Sequence, residues 1–210
     1  EPAGMIQTGD PIFDAVIAGA TDGHLVVSSI TQGAQGASSQ SFHVTEAPAA
    51  LATARALATS RNVYLASALQ AEPVSAGKRG SENGAAQFSV ISLDFDGAWG
   101  HHAESKLPEA KSDLARLVEA AGAPEPEIVL DTGGGLLAVW TIEPFALNSP
   151  EDVRRAKALS KGFQKRLRET ALQRFGWKLD GTADLCRLIR LPQTLNHKFT
   201  PPRRVEVFNG

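Results

Sequence analysis

The sequence predicts a mixed α+β domain whose sheet has an antiparallel component, and three observations support this class. The 210 residues are 42% hydrophobic and 21% charged, which is enough for one good-sized core, or for a core with a small appendage. Strand-like segments are interspersed with amphipathic helical patterns, but without a regular βαβ alternation. A run of glycines at positions 133–135 separates two strand-like segments, as in a tight hairpin.

Seven elements are predicted along the chain. Helical patterns cover residues 46–59, 106–121 and 150–175, and the second of these ends at Gly122. Strand patterns cover residues 62–69, 88–95, 127–131 and 136–142. Residues 31–41 are small, polar and rich in Gly and Ser, which predicts a loop or mobile linker.

The third helix has the clearest start signal in the chain. Ser149 is a good cap, Pro150 is tolerated at the first helical position, and two acidic residues follow at the positive end of the helix dipole. Its predicted buried stripe consists of Val153, Ala156, Leu159, Phe163 and Leu167.

The composition excludes several classes of protein. It does not match a disordered tail, a collagen-like repeat or a disulfide scaffold. No apolar run approaches the roughly 20 residues that cross a bilayer, so no membrane partner is expected. The single cysteine, Cys186, has no internal disulfide partner, which fits a reducing compartment and predicts a cytoplasmic location.

The ends of the sequence suggest a piece of a longer protein. The chain opens at Glu1 without an initiator Met, and it stops directly after the alternating pattern of residues 204–208. We expect residues 1–41 to form an N-terminal extension and linker that is partly flexible, and residues 42–210 to form the main domain.

The charges are distributed unevenly along the chain. Residues 1–150 carry 7 Lys or Arg against 17 Asp or Glu, whereas residues 151–210 carry 14 against 6. Such an asymmetry points weakly toward a polyanionic partner. Seven of the basic residues lie between positions 154 and 168 of the helix after Ser149, where a solvated helix face explains them equally well.

The first candidate site is an acidic pair at the end of a hydrophobic strand. Asp94 and Asp96 point to the same face of that strand, with Cα atoms roughly 7 Å apart. Two converging carboxylates repel each other unless a cation lies between them, and Mg²⁺ or Mn²⁺ prefers such oxygen ligands. A strand-end turn is the alternative. Of His101 and His102, which follow, at most one would reach this site, and a solvated loop pair is the simpler interpretation.

The second candidate is the glycine run after Asp131. Thr132, Gly133 and Gly135 lie in a segment whose successive backbone N–H groups can face an anion. The segment lacks the Lys-Ser/Thr ending of a P-loop and precedes a strand rather than a helix. An ordinary hairpin turn is the alternative.

The third candidate is residues 179–198, where acids and potential phosphate ligands are concentrated. Asp180 is a candidate third carboxylate, with Asp184 in reserve. The side chains that match phosphate chemistry or line such a site are Arg187, Arg190, Asn196, His197 and Lys198. A solvated loop with an internal ion pair between Asp184 and Arg187 is the alternative.

The order of these three segments resembles the primase-polymerase domains of the archaeo-eukaryotic primase superfamily, in the branch found in plasmid and phage replication proteins. The resemblance rests on the strand ending in Asp94-x-Asp96, the glycine turn before a strand that ends in Trp140, and the run from Arg187 to Lys198. Asn62-Val63-Tyr64 and the stretch 77–80, Gly-Lys-Arg-Gly, support it. It covers about residues 42–200.

The resemblance implies both a fold and a set of roles. The fold would be an RRM-like antiparallel-sheet catalytic core with flanking helices. Asp94, Asp96 and Asp180 would hold two divalent metal ions, Mg²⁺ or Mn²⁺, for nucleotidyl transfer by two-metal catalysis. A single-stranded DNA template and NTP or dNTP substrates would be the partners, and a helicase domain or protein is the usual neighbour.

The sequence departs from the family pattern at two positions. Leu137 stands where the family carries a His that contacts the nucleotide phosphates, and Leu cannot donate a hydrogen bond. Gln193 replaces a usual Gly. The grip on a triphosphate would then come from the basic side chains Lys78, Arg79, Arg187, Arg190 and Lys198.

Two other functions fit parts of the pattern. A catalytically weakened module on the same fold would bind single-stranded DNA or a nucleotide, which is consistent with Leu137. A haloacid-dehalogenase-like phosphatase also has a strand ending in Asp-x-Asp-Gly, but its motif continues with Thr or Ser and lies near the N-terminus. Here Ala98 follows Gly97, about ninety residues into the chain.

Overall fold

The computed structural model of the chain describes residues 6–33, 36–100 and 106–208. His101 and His102 lie outside these ranges. The α-helices of the described chain are α1 (Pro11–Val16), α2 (Ala47–Leu57), α3 (Asp113–Ala121) and α4 (Pro150–Thr170), which a π-helical turn (Ala171–Phe175) continues. Its strands are β1 (His24–Ile30), β2 (Ser38–His43), β3 (Asn62–Ala66), β4 (Ala68–Gln70), β5 (Ala85–Asp96), β6 (Ile128–Asp131), β7 (Gly135–Ala146), β8 (Leu188–Arg190), β9 (Leu195–Asn196), β10 (Arg203–Arg204) and β11 (Glu206–Val207).

One antiparallel sheet organises the domain. Its strand order is β11-β6-β7-β5-β4-β1-β3-β8, and β2 pairs with β1 beside this path. The short strands β9 and β10 pair separately. The predicted α+β class with an antiparallel sheet and flanking helices is therefore confirmed.

The N-terminal residues belong to this sheet rather than to a linker. The apolar centre of β1 is buried, and β1 pairs with β2, β3 and β4. Helix α1, which Asp10 caps, buries Phe13 in the core. The segment 31–41 was predicted as a loop, but β2 begins within it at Ser38. Residues ahead of the boundary predicted at residue 42 thus contribute a helix and two strands to the folded part of the chain.

Two predicted elements have different limits in the structure. The strand predicted over 62–69 is divided into β3 and β4 at Ser67. Ser67 N–H donates to the Arg187 carbonyl oxygen at 2.8 Å, in register with the β3–β8 ladder, and from Ala68 onward the partner strand is β5. The helix predicted over 106–121 begins only at Asp113, although it ends at Gly122 as predicted, in a left-handed conformation with φ of 56°.

Two helix layers cover opposite faces of the sheet. Along β7, Leu137 and Val139 belong to a core that includes α1 and α2. The alternate residues Leu136 and Ala138 belong to a core that includes α3 and α4. Because successive side chains of a strand point to opposite faces, the two cores lie on either side of the sheet.

The buried stripe of α4 differs from the predicted one. Val153, Ala156 and Leu167 are buried as expected, but Leu159 is 46% exposed, and Ser160 and Gln164 are buried instead. The polar pair is tolerated because its side chains are hydrogen-bonded: Ser160 Oγ donates to the Ala183 carbonyl oxygen at 3.3 Å, and Gln164 Nε2 donates to the Ser92 carbonyl oxygen at 2.6 Å.

The outer face of α4 is strongly charged. Ion pairs along it include Arg154 with Glu151 and Lys165 with Glu169. In the described part of the chain, no helix is both long and apolar enough to cross a membrane.

Two leucines of α4 allow a matched test of core packing. Leu167 is fully buried and Leu159 is 46% exposed, so the same truncation should have different costs in one helix. We expect Leu167→Ala to lower the free energy of unfolding by about 2–5 kcal/mol, because it leaves a cavity. Leu159→Ala should lower it by less than about 1 kcal/mol. Urea denaturation measures both, and equal losses would contradict the observed orientation of α4.

The buried thiol of Cys186 gives a second test. Burial raises its pKa from the usual 9.0 to about 11, and Gln70 Nε2 donates to its sulfur at 3.4 Å. At pH 8 the thiolate fraction should therefore be ~100-fold lower in the folded than in the unfolded chain. Reaction with dithiobis(nitrobenzoate) at pH 8, with and without urea, should show at least this ratio of rates.

The same pKa sets the sign of the pH effect on stability. The folded chain favours the neutral thiol of Cys186. The contribution of this thiol to the free energy of unfolding is therefore fully present below pH 9.0 and is lost as the pH rises toward 11. Native reaction as fast as that of the unfolded chain would contradict the burial of Cys186.

Candidate active site

A cleft of about 390 Å³ contains most of the predicted site residues. Its walls come from β3, β5, β7, β8, the glycine turn, the segment before β8 and the β9–β10 region. The lining residues are Tyr64, Asp94, Asp96, Thr132, Gly134, Leu137, Asp180, Arg187, Leu188, Arg190, Asn196, Lys198 and Phe199. The cleft thus brings together three predicted carboxylates and three predicted cationic side chains.

Strand β5 carries the acidic pair into the cleft. Asp94 and Asp96 alternate with Leu93 and Phe95, which are buried in the α3–α4 core, so both acids face the other way. In the ladder with β7, Asp94 lies opposite Leu137 and Asp96 lies opposite Gly135. Leu137 is therefore the cross-strand neighbour of Asp94 on the same face of the sheet.

The close approach of β5 and β7 depends on the glycine at position 135. A Cβ atom there would lie 2.9 Å from Asp96 Cα and 2.9 Å from the Phe95 carbonyl oxygen. These are backbone atoms, so a larger residue could be accommodated only by moving the strand that carries the acids.

The glycine turn between β6 and β7 is held from both sides. Within the turn, Gly133 N–H donates to Asp131 Oδ1 at 2.8 Å, and Thr132 Oγ1 donates to the Gly135 carbonyl oxygen at 3.0 Å. From outside, Asn196 Nδ2 donates to the Thr132 carbonyl oxygen at 2.7 Å, and Arg203 donates to the Gly133 carbonyl oxygen. The predicted hairpin is confirmed, and the β9–β10 region fixes its position.

The irregular segment that carries Asp180 is attached to α4 by side-chain hydrogen bonds. Arg168 Nε donates to the Leu179 carbonyl oxygen at 2.9 Å, directly before Asp180. Gln164 Oε1 accepts from Thr182 N–H at 3.0 Å. Because Gln164 Nε2 bonds to Ser92 on β5, one amide group joins the Asp180 segment to the strand of the acidic pair.

Arg187 forms an ion pair with Asp94 across the cleft. Its Nη2 donates to Asp94 Oδ2, and the two side chains are 34% and 29% exposed. The backbone of this segment is fixed to the sheet, because Ser67 N–H and Ser67 Oγ donate to the carbonyl oxygens of Arg187 and Leu185. The alternative interpretation of this segment had an internal pair between Asp184 and Arg187; in the structure Arg187 pairs with Asp94, and Asp184 pairs with Arg79.

Arg190 occupies a more buried position in the same wall. Its Nη1 donates to Asn62 Oδ1 at 3.0 Å, and its guanidinium lies 4.8 Å from the ring centroid of Tyr64. Burial lowers the pKa of Arg190, while the neighbouring Asp94 carboxylate and Tyr64 side chain oppose the shift. An arginine remains protonated under such a shift, so Arg190 contributes a fixed positive charge beside the acids.

Some predicted residues are not brought to the cleft. Lys78 and Arg79 lie on an exposed loop, where Arg79 forms an ion pair with Asp184 at 3.6 Å. Asp184, the reserve candidate for the third acid, lines a separate pocket beside α4 rather than the cleft of the acidic pair. His197 lies in the turn after β9 and directs its Nε2 to the Ala58 carbonyl oxygen at 3.0 Å, and its backbone N–H donates to Asn62 Oδ1 at 3.0 Å.

Three residues that sequence reasoning did not select support the site. Gln164 is a buried polar residue of α4. Asn62 is 2% exposed and accepts from both Arg190 Nη1 and His197 N–H at 3.0 Å. Arg203 holds the glycine turn and stacks on Phe199, with 4.0 Å from its guanidinium to the ring centroid. Asn62 had a signal in the sequence, because it belongs to the Asn62-Val63-Tyr64 stretch that supports the resemblance, whereas no local pattern marked Gln164 or Arg203.

The carboxylates of the cleft fit a hard divalent cation whose coordination shell is completed by water and substrate, rather than one enclosed by protein ligands alone. No group of three or more His, Cys, Asp or Glu side chains within residues 6–33, 36–100 and 106–208 is close enough to form a preorganised metal cage. Mg²⁺, however, is usually held by one or two carboxylates, with water and substrate phosphates completing the shell. Asp94 and Asp96 provide such a pair on an open cleft that Asp180 also lines.

These features define a class of fold. An antiparallel sheet with helices on both faces is a fold that also occurs in solved structures of primases. The chain is similar to the AEP domain of the primase-polymerase of cyanophage S-2L, with a TM-score of 0.55 and 16% identity over 89% of this chain and 81% of that one.

A second solved structure supports the same fold. The chain is similar to the primase RepB′, with a TM-score of 0.52 and 11% identity, covering 95% of this chain and 55% of that one. The chain thus spans about half the length of the RepB′ chain. No protein-family model and no curated protein matches the sequence.

Two glycines give a matched test of the β5–β7 contact. We expect Gly135→Ala to lower the free energy of unfolding by about 1–3 kcal/mol, because the added methyl group meets backbone atoms at 2.9 Å. A Cβ atom at Gly162 on α4 would meet no neighbouring atom within 4 Å. Gly162→Ala should therefore stabilise the domain by about 1 kcal/mol, because alanine has the higher helix propensity. Urea denaturation compares them, and a neutral Gly135→Ala would contradict the close contact.

Proposed function

We propose that this domain is a primase-polymerase that joins nucleotides on a single-stranded DNA template by metal-dependent nucleotidyl transfer. The observation that carries the proposal is the composition of one cleft. It combines Asp94, Asp96 and Asp180 with Arg187, Arg190 and Lys198, on a fold similar to that of solved primases. A cleft that combines carboxylates with cationic side chains suits a metal-bound polyphosphate.

The carboxylates have the metal-binding role in this proposal. Asp94 and Asp96 present oxygen ligands from one strand, and Asp180 supplies the third acid from the segment that Gln164 holds. Bound divalent ions would stabilise the attacking and leaving oxygens of an in-line phosphoryl transfer. Residues of the chain then orient the triphosphate and the 3′ hydroxyl around this position.

The basic side chains and the glycine turn have the phosphate-binding role. Arg187 and Arg190 offer guanidinium donors that match phosphate oxygens, and Lys198 adds a point charge at the edge of the cleft. Template base pairing would select the incoming NTP or dNTP. The helicase partner and the plasmid or phage context rest on the sequence resemblance alone.

Leu137 favours a second candidate function. Its side chain lies in the cleft opposite Asp94, where it supplies an apolar contact and no hydrogen bond to a phosphate. A domain that binds single-stranded DNA or a nucleotide without polymerising it would tolerate this residue. The phosphatase alternative gains no support from the antiparallel sheet or from the fold similarity.

The acidic pair gives the decisive test of activity. We expect Asp94→Asn to reduce Mn²⁺-dependent nucleotide incorporation on single-stranded DNA by at least about 100-fold, because a metal ligand stabilises the transition state by several kcal/mol. The matched control is Asp22→Asn, which removes an exposed carboxylate paired with His43 outside the cleft. It should retain wild-type incorporation.

Two results would separate the candidate functions. Incorporation that persists in Asp94→Asn contradicts the site assignment. Salt-sensitive binding of single-stranded DNA by the wild type, without incorporation under Mg²⁺ or Mn²⁺ on several templates, contradicts polymerase activity and favours the binding module.

A further inference from the structure

We propose that Arg187 is a built-in counter-cation for Asp94, and that a divalent metal displaces it toward the triphosphate. The inference rests on the proposed function, since it concerns how the same cleft is loaded. Its starting point is the ion pair between Arg187 Nη2 and Asp94 Oδ2 in the cleft wall. It assigns Arg187 a positioning role that couples metal binding to phosphate binding.

The anchoring of Arg187 permits its guanidinium to exchange partners. The backbone is held at two points, because Ser67 Oγ donates to the Leu185 carbonyl oxygen at 2.9 Å and Ser67 N–H donates to that of Arg187 at 2.8 Å. The side chain itself is 34% exposed. The guanidinium can therefore leave Asp94 and remain in the cleft without disrupting the sheet.

Arg190 lacks this freedom, which makes Arg187 the specific candidate. The Arg190 guanidinium is bonded to Asn62 Oδ1 at 3.0 Å, and the residue is 8% exposed. Removing it from Asn62 would leave a buried amide oxygen with one partner fewer. The two arginines of the cleft wall thus differ, because Arg190 is fixed by Asn62, whereas Arg187 is paired with the Asp94 carboxylate, which a metal ion would also bind.

Competition at Asp94 follows from simple electrostatics. A guanidinium and a divalent ion both bind the Asp94 carboxylate, and the nearby acids Asp96 and Asp180 favour the ion of higher charge. Metal binding frees a positive side chain a few ångströms away, where the triphosphate would lie. By linkage, metal and triphosphate should each strengthen binding of the other.

The first test measures Mn²⁺ binding without nucleotide, by electron paramagnetic resonance. Arg187→Gln should bind Mn²⁺ roughly two- to fivefold more tightly than wild type, the range expected from removing a partly exposed ion pair. Lys198→Gln removes a positive charge from the same cleft and controls for the general effect of charge. A smaller gain in Lys198→Gln than in Arg187→Gln supports the proposal, and equal gains overturn it.

The second test uses inorganic tripolyphosphate without metal and reports on Arg187 directly. Asp94→Asn should increase tripolyphosphate affinity, because it releases the guanidinium of Arg187. This increase should shrink in an Arg187→Gln background and persist in a Lys198→Gln background. If Asp94→Asn raises the tripolyphosphate affinity by the same factor in both backgrounds, the proposal is overturned.

The Mn²⁺ measurement also separates the two levels of inference. If Asp94→Asn abolishes Mn²⁺ binding and Arg187→Gln leaves the Mn²⁺ affinity unchanged, the proposed function stands and the role of Arg187 is overturned. No Asp94-dependent Mn²⁺ binding in either wild type or Arg187→Gln overturns both.

Discussion

The antiparallel pairing of β5 with β7 is the contact on which the rest of the site depends. It places Asp94 opposite Leu137 and Asp96 opposite Gly135, so the register decides which side chains surround the acids. A shift of one residue would turn both carboxylates into the α3–α4 core, because side chains alternate between faces. The glycine at 135 allows the backbones to approach, and the buried residues on each face make this register the stable one.

The sequence predicted those parts of the site that local patterns encode. An acidic pair at a strand end, a glycine hairpin and an arginine-rich segment are visible in short windows, and the structure brings most of them to one cleft. The position of β1 was missed because its pairing with β3 and β4 is a long-range contact that no local pattern contains. The division of β3 from β4 at Ser67 has the same cause, since the partner strand changes there from β8, which is distant in sequence, to β5.

The orientation of individual polar side chains was the least predictable property. His197 and Lys198 are adjacent and both match phosphate chemistry, yet only Lys198 lines the cleft. The basic surplus of the C-terminal part divides similarly. Lysines of α4 are paired on the outer surface, as Lys157 is with Glu82, whereas the basic residues of the cleft come from the segment after the helix. Net charge over a segment does not distinguish these two groups.

The amide of Gln164 has a consequence for the geometry of the whole cleft. Its nitrogen and its oxygen are bonded to different elements, Ser92 on the acidic strand and Thr182 beside Asp180. The spacing between two carboxylate-bearing parts of the chain, far apart in sequence, is thus set by the size of a single planar group. Loss of this amide would remove a hydrogen bond to each of the two parts, whereas substitutions on the outer surface of α4 would leave both bonds in place.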